Sequence, residues 1–318
     1  MPDQLAQPDR AAALALVRAV AEADGSAALS EDGRLALAHG RPGSVHLLWR
    51  DADHGDAAGN GVDRGAAGSI VGYLYLSPVD EARDRTAELC VAPDHRGHGI
   101  GRALVGAALA QTAGALRIWA HGSRPAARRL AEALGFTAVR DLRLMELNLA
   151  DGASWPPPDG STEPPVRTFR PGLDEAAWLT LNARAFAHHP EQGSWTARDL
   201  AEREAEPWFD PAGFFLLPAD GRPDGEPVGF HWTKVHPAGE YGPEPVGEIY
   251  VLGVDPDWSG RGYGRLLADV GLRHLAQSGL HTIVLYVDGD NAPAVRLYES
   301  LGFRIRTVDT LYERRGSG

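Results

Sequence analysis

Val91-Ala-Pro-Asp-His-Arg-Gly-His-Gly-Ile-Gly-Arg102 aligns without a gap on Val254-Asp-Pro-Asp-Trp-Ser-Gly-Arg-Gly-Tyr-Gly-Arg265. Further along, Arg129-Leu-Ala-Glu-Ala-Leu-Gly-Phe136 matches Arg296-Leu-Tyr-Glu-Ser-Leu-Gly-Phe303 in the same order. Two ordered matches mean that the chain carries one unit twice, and a repeat has to be read before any element is assigned. Between the copies, residues 151–165 hold Trp-Pro-Pro-Pro-Asp-Gly-Ser and a second Pro-Pro pair, which can neither continue a strand nor pack as a helix. The expected organisation is therefore two domains, 1–150 and 166–318, joined by a proline-rich linker at 151–165. A chain of 318 residues with 43% hydrophobic side chains can bury two ordinary cores.

Each half reads alike on either side of its loop. Helical periodicity over 11–23 and 173–187 is followed by strand-like runs at 69–76 and 228–234. A strand enters each glycine loop, over 87–91 and 248–254. An apolar-faced helix leaves it, carrying Leu104, Ala107 and Ala108 in one half and Leu266, Leu267 and Val270 in the other. A further strand (116–120; 282–287), a short helix ending at Leu-Gly-Phe and a last strand (140–149; 304–313) complete a mixed α/β unit in which strands outnumber helices.

Composition narrows the chemistry. A formal charge of −12, with no dense Lys/Arg cluster, opposes a nucleic-acid partner and suits a cationic small molecule. Of the 31 basic residues Lys234 is the single lysine, so the chain uses Arg wherever a positive charge suffices. A tight site for a compact ammonium does not accept Arg, which singles out Lys234 as a candidate functional residue. Cys90 is the only cysteine; it excludes a disulfide framework and a thiolate-rich metal site, and reads as a small buried hydrophobe. His188, His189, His231 and His236 cluster in the second half, but no pair has ligand spacing with a third donor, so no metal is expected. No apolar run spans a bilayer and the start lacks the order of a signal peptide. A monomeric cytoplasmic protein, without membrane or nucleic-acid partner, is the expectation.

A Gly-x-Gly turn between a strand and a helix presents backbone N–H groups at a helix N-terminus, where unpaired donors and the helix dipole favour an anion. By itself it is equally a structural turn. No Gly-Lys-Ser/Thr follows for a nucleoside triphosphate, and the glycine loop sits mid-domain, not in an opening strand-helix-strand unit with an acidic residue about 20 residues on as a dinucleotide fold requires.

Arg96-Gly-His-Gly-Ile-Gly101 resembles the Arg/Gln-x-x-Gly-x-Gly/Ala pyrophosphate loop of the GNAT family of N-acetyltransferases. Asn291, Ala294, Tyr298, Gly302 and Phe303 resemble its later cofactor motif. The second loop departs by opening with Ser259, which costs little if backbone amides bind. The resemblance implies two tandem GNAT domains, each a mixed, mostly antiparallel sheet flanked by helices, with acetyl-CoA as co-substrate and no metal. It also implies a bulge, in the strand before the loop, whose N–H polarises the acetyl carbonyl, and a thiol arm lying where two strands splay. Cofactor contacts are implied in the first half at Leu89, Cys90 and Val91 and at Gly97, His98, Gly99, Ile100, Gly101 and Arg102. In the second half they fall at Leu252, Gly253 and Val254; at Ser259, Gly260, Arg261, Gly262, Tyr263, Gly264 and Arg265; and at Asn291, Ala292, Pro293, Ala294, Val295 and Arg296.

The tandem arrangement, with His189-Pro-Glu-Gln-Gly193, Phe230-His-Trp-Thr-Lys-Val-His-Pro237 and Leu285-Tyr-Val-Asp-Gly-Asp-Asn291, is similar over essentially the whole chain to one group within that family. Its members acetylate the cysteinyl amine of an inositol–glucosamine thiol pseudo-disaccharide, which is the small-molecule acceptor expected here. That likeness implies acceptor contacts at Glu31, Glu191, Lys234, Glu248 and Tyr286, with only Glu31 from the first half, and so an acceptor held between the domains. Counted from the loop, Glu248 falls on Arg85; counted from the Leu-Gly-Phe match, Tyr286 falls on Trp119, Asn291 on Arg124 and Tyr298 on Ala131. The first half thus lacks the proton-transfer groups, and Glu248 as base with Tyr298 as acid mark the second half as catalytic. Alternation along Glu248, Tyr250, Leu252 and Val254 places Glu248 on the face of the loop approach. Rival readings are a tandem acetyltransferase for another amine, aminoglycoside-like or a peptide N-terminus, and a non-catalytic acyl-CoA-binding module.

Overall fold

The computed structural model describes residues 5–51, 68–149, 155, 166–189, 192–219, 221–222, 225–239 and 241–316. Of the expected linker only Trp155 is among them, and Glu191 lies outside them. The first half forms α1 (Gln7–Asp24), α2 (Glu31–His39), β1 (Val45–Arg50), β2 (Ile70–Leu76), β3 (Arg85–Val91), α3 (Ile100–Leu109), β4 (Leu116–Ala120), α4 (Pro125–Ala133) and β5 (Thr137–Asn148). The second forms β6 (Arg167–Thr168), α5 (Glu175–Ala185), α6 (Ala197–Glu204), β7 (Phe214–Pro218), β8 (Pro227–His236), β9 (Val246–Val254), α7 (Tyr263–Gln277), β10 (Thr282–Asp288), α8 (Ala292–Ser300) and β11 (Arg304–Arg314).

Local sequence explains where the principal helices begin and end. α1 starts with a proline in its first turn, where a missing N–H costs nothing, and stops at Gly25, whose φ of 64° lets it cap the helix by donating to the Ala21 carbonyl. α6 begins with a capping box, Thr196 and Asp199 each bonding the other's backbone N–H. α3 and α7 begin after Gly99 and Gly262, both left-handed, with no side-chain cap.

The chain packs as two compact units. One comprises Met1–Arg143, Asp288–Asp290 and Thr307–Gly318; the other comprises Leu144–Val287 and Asn291–Arg306. The division is not contiguous in sequence, as the repeat alone would have it. In the first unit the open edge of β4 is filled by the last strand of the chain, with Leu311 opposite Trp119 and Tyr312 opposite Ile118. In the second, Met145 and Leu147 of β5 join the core of Ile283, Leu285, Tyr298 and Phe303. Backbone pairing at an edge accepts any strand of fitting register, so local sequence does not dictate which segment closes which unit.

Within each unit the sheet is mixed and mostly antiparallel. β1–β2, β2–β3 and β4–β11 pair antiparallel, as do β6–β7, β7–β8 and β8–β9, whereas β3–β4 and β9–β10 pair parallel. In the first unit one sheet face packs Tyr73, Tyr75 and Cys90 against Ala13, Leu16, Val17 and Val20 of α1, while the other packs Leu74, Ala87 and Leu116 against Leu104 and Ala108 of α3. The second repeats the pattern, Phe230, Trp232 and Val251 meeting Trp178 and Leu181 of α5, and Ile249 and Leu285 meeting Ala268, Leu272 and Leu275 of α7. Cys90 is 6% exposed, and burial pushes its thiol up to about 12, so it stays a neutral apolar group.

Candidate active site

The two glycine loops share one backbone. A short turn, Pro93–His95 or Pro256–Trp258, precedes a pair of left-handed glycines: Gly97 and Gly99 at φ 81° and 86°, Gly260 and Gly262 at 76° and 81°. A Cβ at any of the four would meet nothing within 4 Å. Glycine is therefore required there for its conformation and not for space. The N–H groups of the first turns of α3 and α7 carry no side-chain cap, which is how a helix receives an anion. Arg96 does not reach outward: its Nε donates to the Val91 carbonyl at 3.0 Å and its guanidinium grips Asp24 through two bonds of 2.9 Å. Ser259 likewise turns inward, its Oγ 3.5 Å from the Asp255 carbonyl oxygen. The side chain that opens the loop shapes it, and the departure at Ser259 leaves the amide cradle unchanged.

Beyond each loop two parallel strands part. β3 and β4 pair only from Arg85 opposite Leu116 to Ala87 opposite Ile118, and β9 and β10 only from Gly247 opposite Ile283 to Ile249 opposite Leu285. In the first unit the gap opens into a cavity of about 680 Å3, of the size that takes a nucleotide-sized ligand. Eight of the nine first-half cofactor positions line it, Leu89, Cys90, Val91, Gly97, Gly99, Ile100, Gly101 and Arg102; His98 does not. In the second unit Asn291 accepts from the Ala294 N–H at 3.2 Å and caps α8, with Pro293 in its first turn.

A bulge separates the two units. In the second, Trp232 pairs with Val251 but Thr233 pairs with Ile249, so β9 carries one extra residue, Tyr250. In the first, β2 and β3 run without a shift from Gly72 opposite Val91 to Leu76 opposite Ala87. The extra residue corrects two expectations. Glu248 stands opposite Lys234 and beside Val284, which in the first unit is the place of Thr86, not of Arg85. The conclusion that the first unit has no carboxylate there is unchanged. The alternation also breaks at Tyr250: Tyr250 packs with the aromatic cluster under α5 and α6, whereas Leu252 and Val254 pack on the α7 side.

Glu248 is 6% exposed, and its Oε2 accepts from Nε2 of His236, itself 3% exposed, at 2.6 Å. The His236 ring meets Tyr241 edge-on at 4.7 Å, and the Tyr241 hydroxyl lies 3.2 Å from that of Tyr286. Lys234, 4% exposed, holds its ammonium 4.4 Å above Trp208 and 5.0 Å above Tyr250. Lys234, Glu248 and Tyr286 are thus drawn together within one unit, with His236 and Tyr241 as links that sequence reasoning passed over. No spacing signals them, since His236 and Glu248 meet across two strands. Tyr298 is 7% exposed, its ring 5.8 Å from Phe303, and burial raises its phenol above the ordinary tyrosine range. Glu31 lies in the first unit at the start of α2, and Glu191 is outside the described residues.

The first unit holds titratable groups of its own. The carboxylate of Glu88 accepts from the Ser30 hydroxyl at 2.6 Å and from His121 at 3.0 Å, and the other nitrogen of His121 bonds Asp309 at 2.8 Å. Burial alone would lower the His121 pKa, but hydrogen bonds to both carboxylates, and their charges, outweigh it and raise it to about 10. Both ring nitrogens are engaged, so His121 is a cation locked between anions and not a free base. Among the described residues no group of three or more His, Cys, Asp or Glu could hold a metal ion, and no helix is long and apolar enough to cross a membrane.

Comparison with known proteins identifies the family and the fold. The acetyltransferase (GNAT) family model matches residues 176–303 and a GNAT domain model matches residues 61–138. A mycothiol acetyltransferase of Streptomyces avermitilis is 51% identical over 304 residues, spanning 95% of this chain and 90% of its own length. One from Acidothermus cellulolyticus is 49% identical over 314 residues, spanning 95% and 90%. Among solved structures, a GCN5-related N-acetyltransferase from Sphaerobacter thermophilus superposes with a TM-score of 0.66 at 24% identity, over 98% of this chain and 94% of that one. A tandem GNAT protein from the clavulanic acid biosynthesis pathway gives 0.67 at 19% identity, over 98% and 97%; at such identities the likeness shows the fold alone. With two GNAT domains in tandem and half its residues shared with these relatives along nearly the whole chain, the protein belongs to the mycothiol acetyltransferase family.

Proposed function

We propose that this enzyme transfers acetyl from acetyl-CoA to the cysteinyl α-amine of 1D-myo-inositol 2-(L-cysteinylamino)-2-deoxy-α-D-glucopyranoside, releasing CoA and mycothiol. The observation that carries the reading is the buried Glu248, oriented by His236 and facing Lys234, on the bulged strand whose pairing with β10 ends one residue later. Half-buried aromatic hydroxyls beside it, Tyr241 and Tyr286, suit an acceptor rich in hydroxyls.

A cysteinyl α-amine has a pKa of roughly 7.7–8.0, so a usable fraction is neutral at pH 7. Its lone pair attacks the thioester carbonyl carbon, the C–S bond breaks, and the electron pair leaves with sulfur. Glu248 takes the proton shed by the new amide nitrogen, through water or directly. The departing thiolate, whose thiol pKa is about 8.5, accepts a proton from the Tyr298 phenol, which burial keeps protonated at working pH. The amides from Gly260 to Gly264 hold the diphosphate, Leu252, Gly253 and Val254 flank the thiol arm, and Lys234 and Tyr286 contact the acceptor. The first domain, 1–150 in the repeat, binds acetyl-CoA in its cavity without turning it over; its β3 has neither the bulge nor a carboxylate in the place of Glu248.

Mass spectrometry of purified protein with acetyl-CoA tests this, offering the cysteinyl pseudo-disaccharide beside aminoglycosides and peptides. Acetylation of the first is expected. Indifference to it with transfer to another amine would remove the reading.

A further inference from the structure

Tyr250 is the residue of β9 left without a partner on β8, and it sits one position past Ile249, where pairing with β10 ends. The peptide groups that turn into the gap are therefore set by how this one bulge is held. A bulge leaves its extra residue outside the ladder, bends the strand and increases the local twist, so that residue's backbone is not fixed by ladder hydrogen bonds.

That side chain, partly buried, is held on several sides. The Tyr250 hydroxyl accepts from Arg203 Nε at 2.7 Å, and its ring meets Trp208 at 5.0 Å and Trp232 at 5.2 Å. Arg203 is 2% exposed, its guanidinium lies 3.8 Å above the Trp195 ring, and Nη1 donates to the Asp199 carbonyl at 2.9 Å. Asp199 is itself fixed by the capping box with Thr196. A buried guanidinium is costly to desolvate, and an apolar pair could fill the same space at less cost. What an apolar pair could not do is hold a phenol at a fixed distance and angle.

We propose that Arg203 is a positioning residue for acetyl transfer: through the Tyr250 hydroxyl it anchors the bulge of β9, and so fixes where the backbone amides at the edge of the gap meet the thioester carbonyl. Arg203 touches neither substrate. The inference rests on the reading that the thioester of acetyl-CoA enters the gap of the second unit, but not on which amine accepts the acetyl group.

The test uses the full chain with Arg203→Met, which removes the anchor, Tyr250→Phe, which keeps the ring and removes the hydroxyl, and Arg203→Lys, which can still donate to the phenol. Infrared difference spectra of bound acetyl-CoA, 13C-labelled at the carbonyl, are read without acceptor, beside kcat, KM and melting temperature. Expected is a kcat about tenfold lower in Tyr250→Phe and Arg203→Met, an acetyl-CoA KM within about twofold, and a carbonyl stretch returned towards its value in water, with partial recovery in Arg203→Lys. Should Arg203→Met fail to fold, Tyr250→Phe and Arg203→Lys decide alone. A carbonyl stretch unchanged from wild type in Tyr250→Phe, or a loss of kcat that only follows the melting temperature, overturns the proposal. Loss of activity towards the pseudo-disaccharide alone, with the carbonyl shift intact in wild type, counts against the acceptor and leaves the anchor standing.

Discussion

His236 Nε2 donates to Glu248 Oε2 at 2.6 Å, and both side chains are almost fully buried. The pair fixes the Glu248 carboxylate, held by a residue twelve positions earlier on the neighbouring strand. Glu248→Gln should lower kcat/KM by about 10² to 10³ with little change in the acetyl-CoA KM, as loss of a general base does. His236→Phe keeps the edge contact with Tyr241 and removes the donor; turnover should fall by about tenfold and stability by about 1–3 kcal/mol. Steady-state kinetics and thermal melts on the two variants check both figures.

Tyr298 packs edge-on against Phe303, so Tyr298→Phe preserves the core while removing the hydroxyl. Turnover should fall by about 10² with the melting temperature nearly unchanged. Because burial raises the phenol pKa, no limb of the wild-type pH–rate profile up to pH 10 should come from this group. A limb below that pH that vanishes in the Phe variant would show that the phenol itself titrates there, against the expectation; one that persists belongs to another group.

His121 gives the first unit a pH-dependent stability. Its folded pKa of about 10 lies above the ordinary histidine value of 6.5, so the stabilisation is complete below pH 6.5 and is lost as pH rises through 10. Glu88, whose pKa is lowered by His121 and Ser30 against the opposing effect of burial, contributes in the opposite sense, losing its share as pH falls through its depressed pKa. The melting temperature of the wild type should drop by several degrees between pH 6.5 and 10, and that of His121→Gln should be lower and flatter over the same range.

Gly262 caps α7 at φ 81° with open space where a Cβ would go. Gly262→Val should cost about 1–2 kcal/mol in backbone strain and raise the acetyl-CoA KM by about tenfold as the amide cradle shifts, with kcat at saturation little changed. Titration calorimetry with CoA and saturation kinetics measure the two effects separately.

Much of this was legible in residue order. The duplicated loops, the strands and helices that flank them and the position of the glycines follow from local chemistry, because a left-handed glycine or a helix cap is decided within a few residues, whereas α2, β1, α6 and β7 were not read from the sequence. The loss of Tyr298 and of a carboxylate from the first copy was equally visible, since a repeat compares each position with its own counterpart. Where counting failed, a single residue was responsible: the bulged Tyr250 of β9 has no counterpart in β3, which moves Glu248 from the place of Arg85 to that of Thr86 and turns Leu252 to the opposite face.

The sequence by itself determined that two similar units exist, that each carries a glycine turn between a strand and a helix, and that only the second holds Glu248 and Tyr298. Only the tertiary structure decided that β11 closes the first unit, that His236 aims Glu248, that Arg203 holds the bulge, and that His121 is locked between Glu88 and Asp309. The reason is physical: turns and caps are short-range and depend on neighbours in the chain. Strand pairing and buried hydrogen bonds join residues tens to hundreds of positions apart, and their partners are chosen when apolar faces are buried and every polar group taken with them must be satisfied.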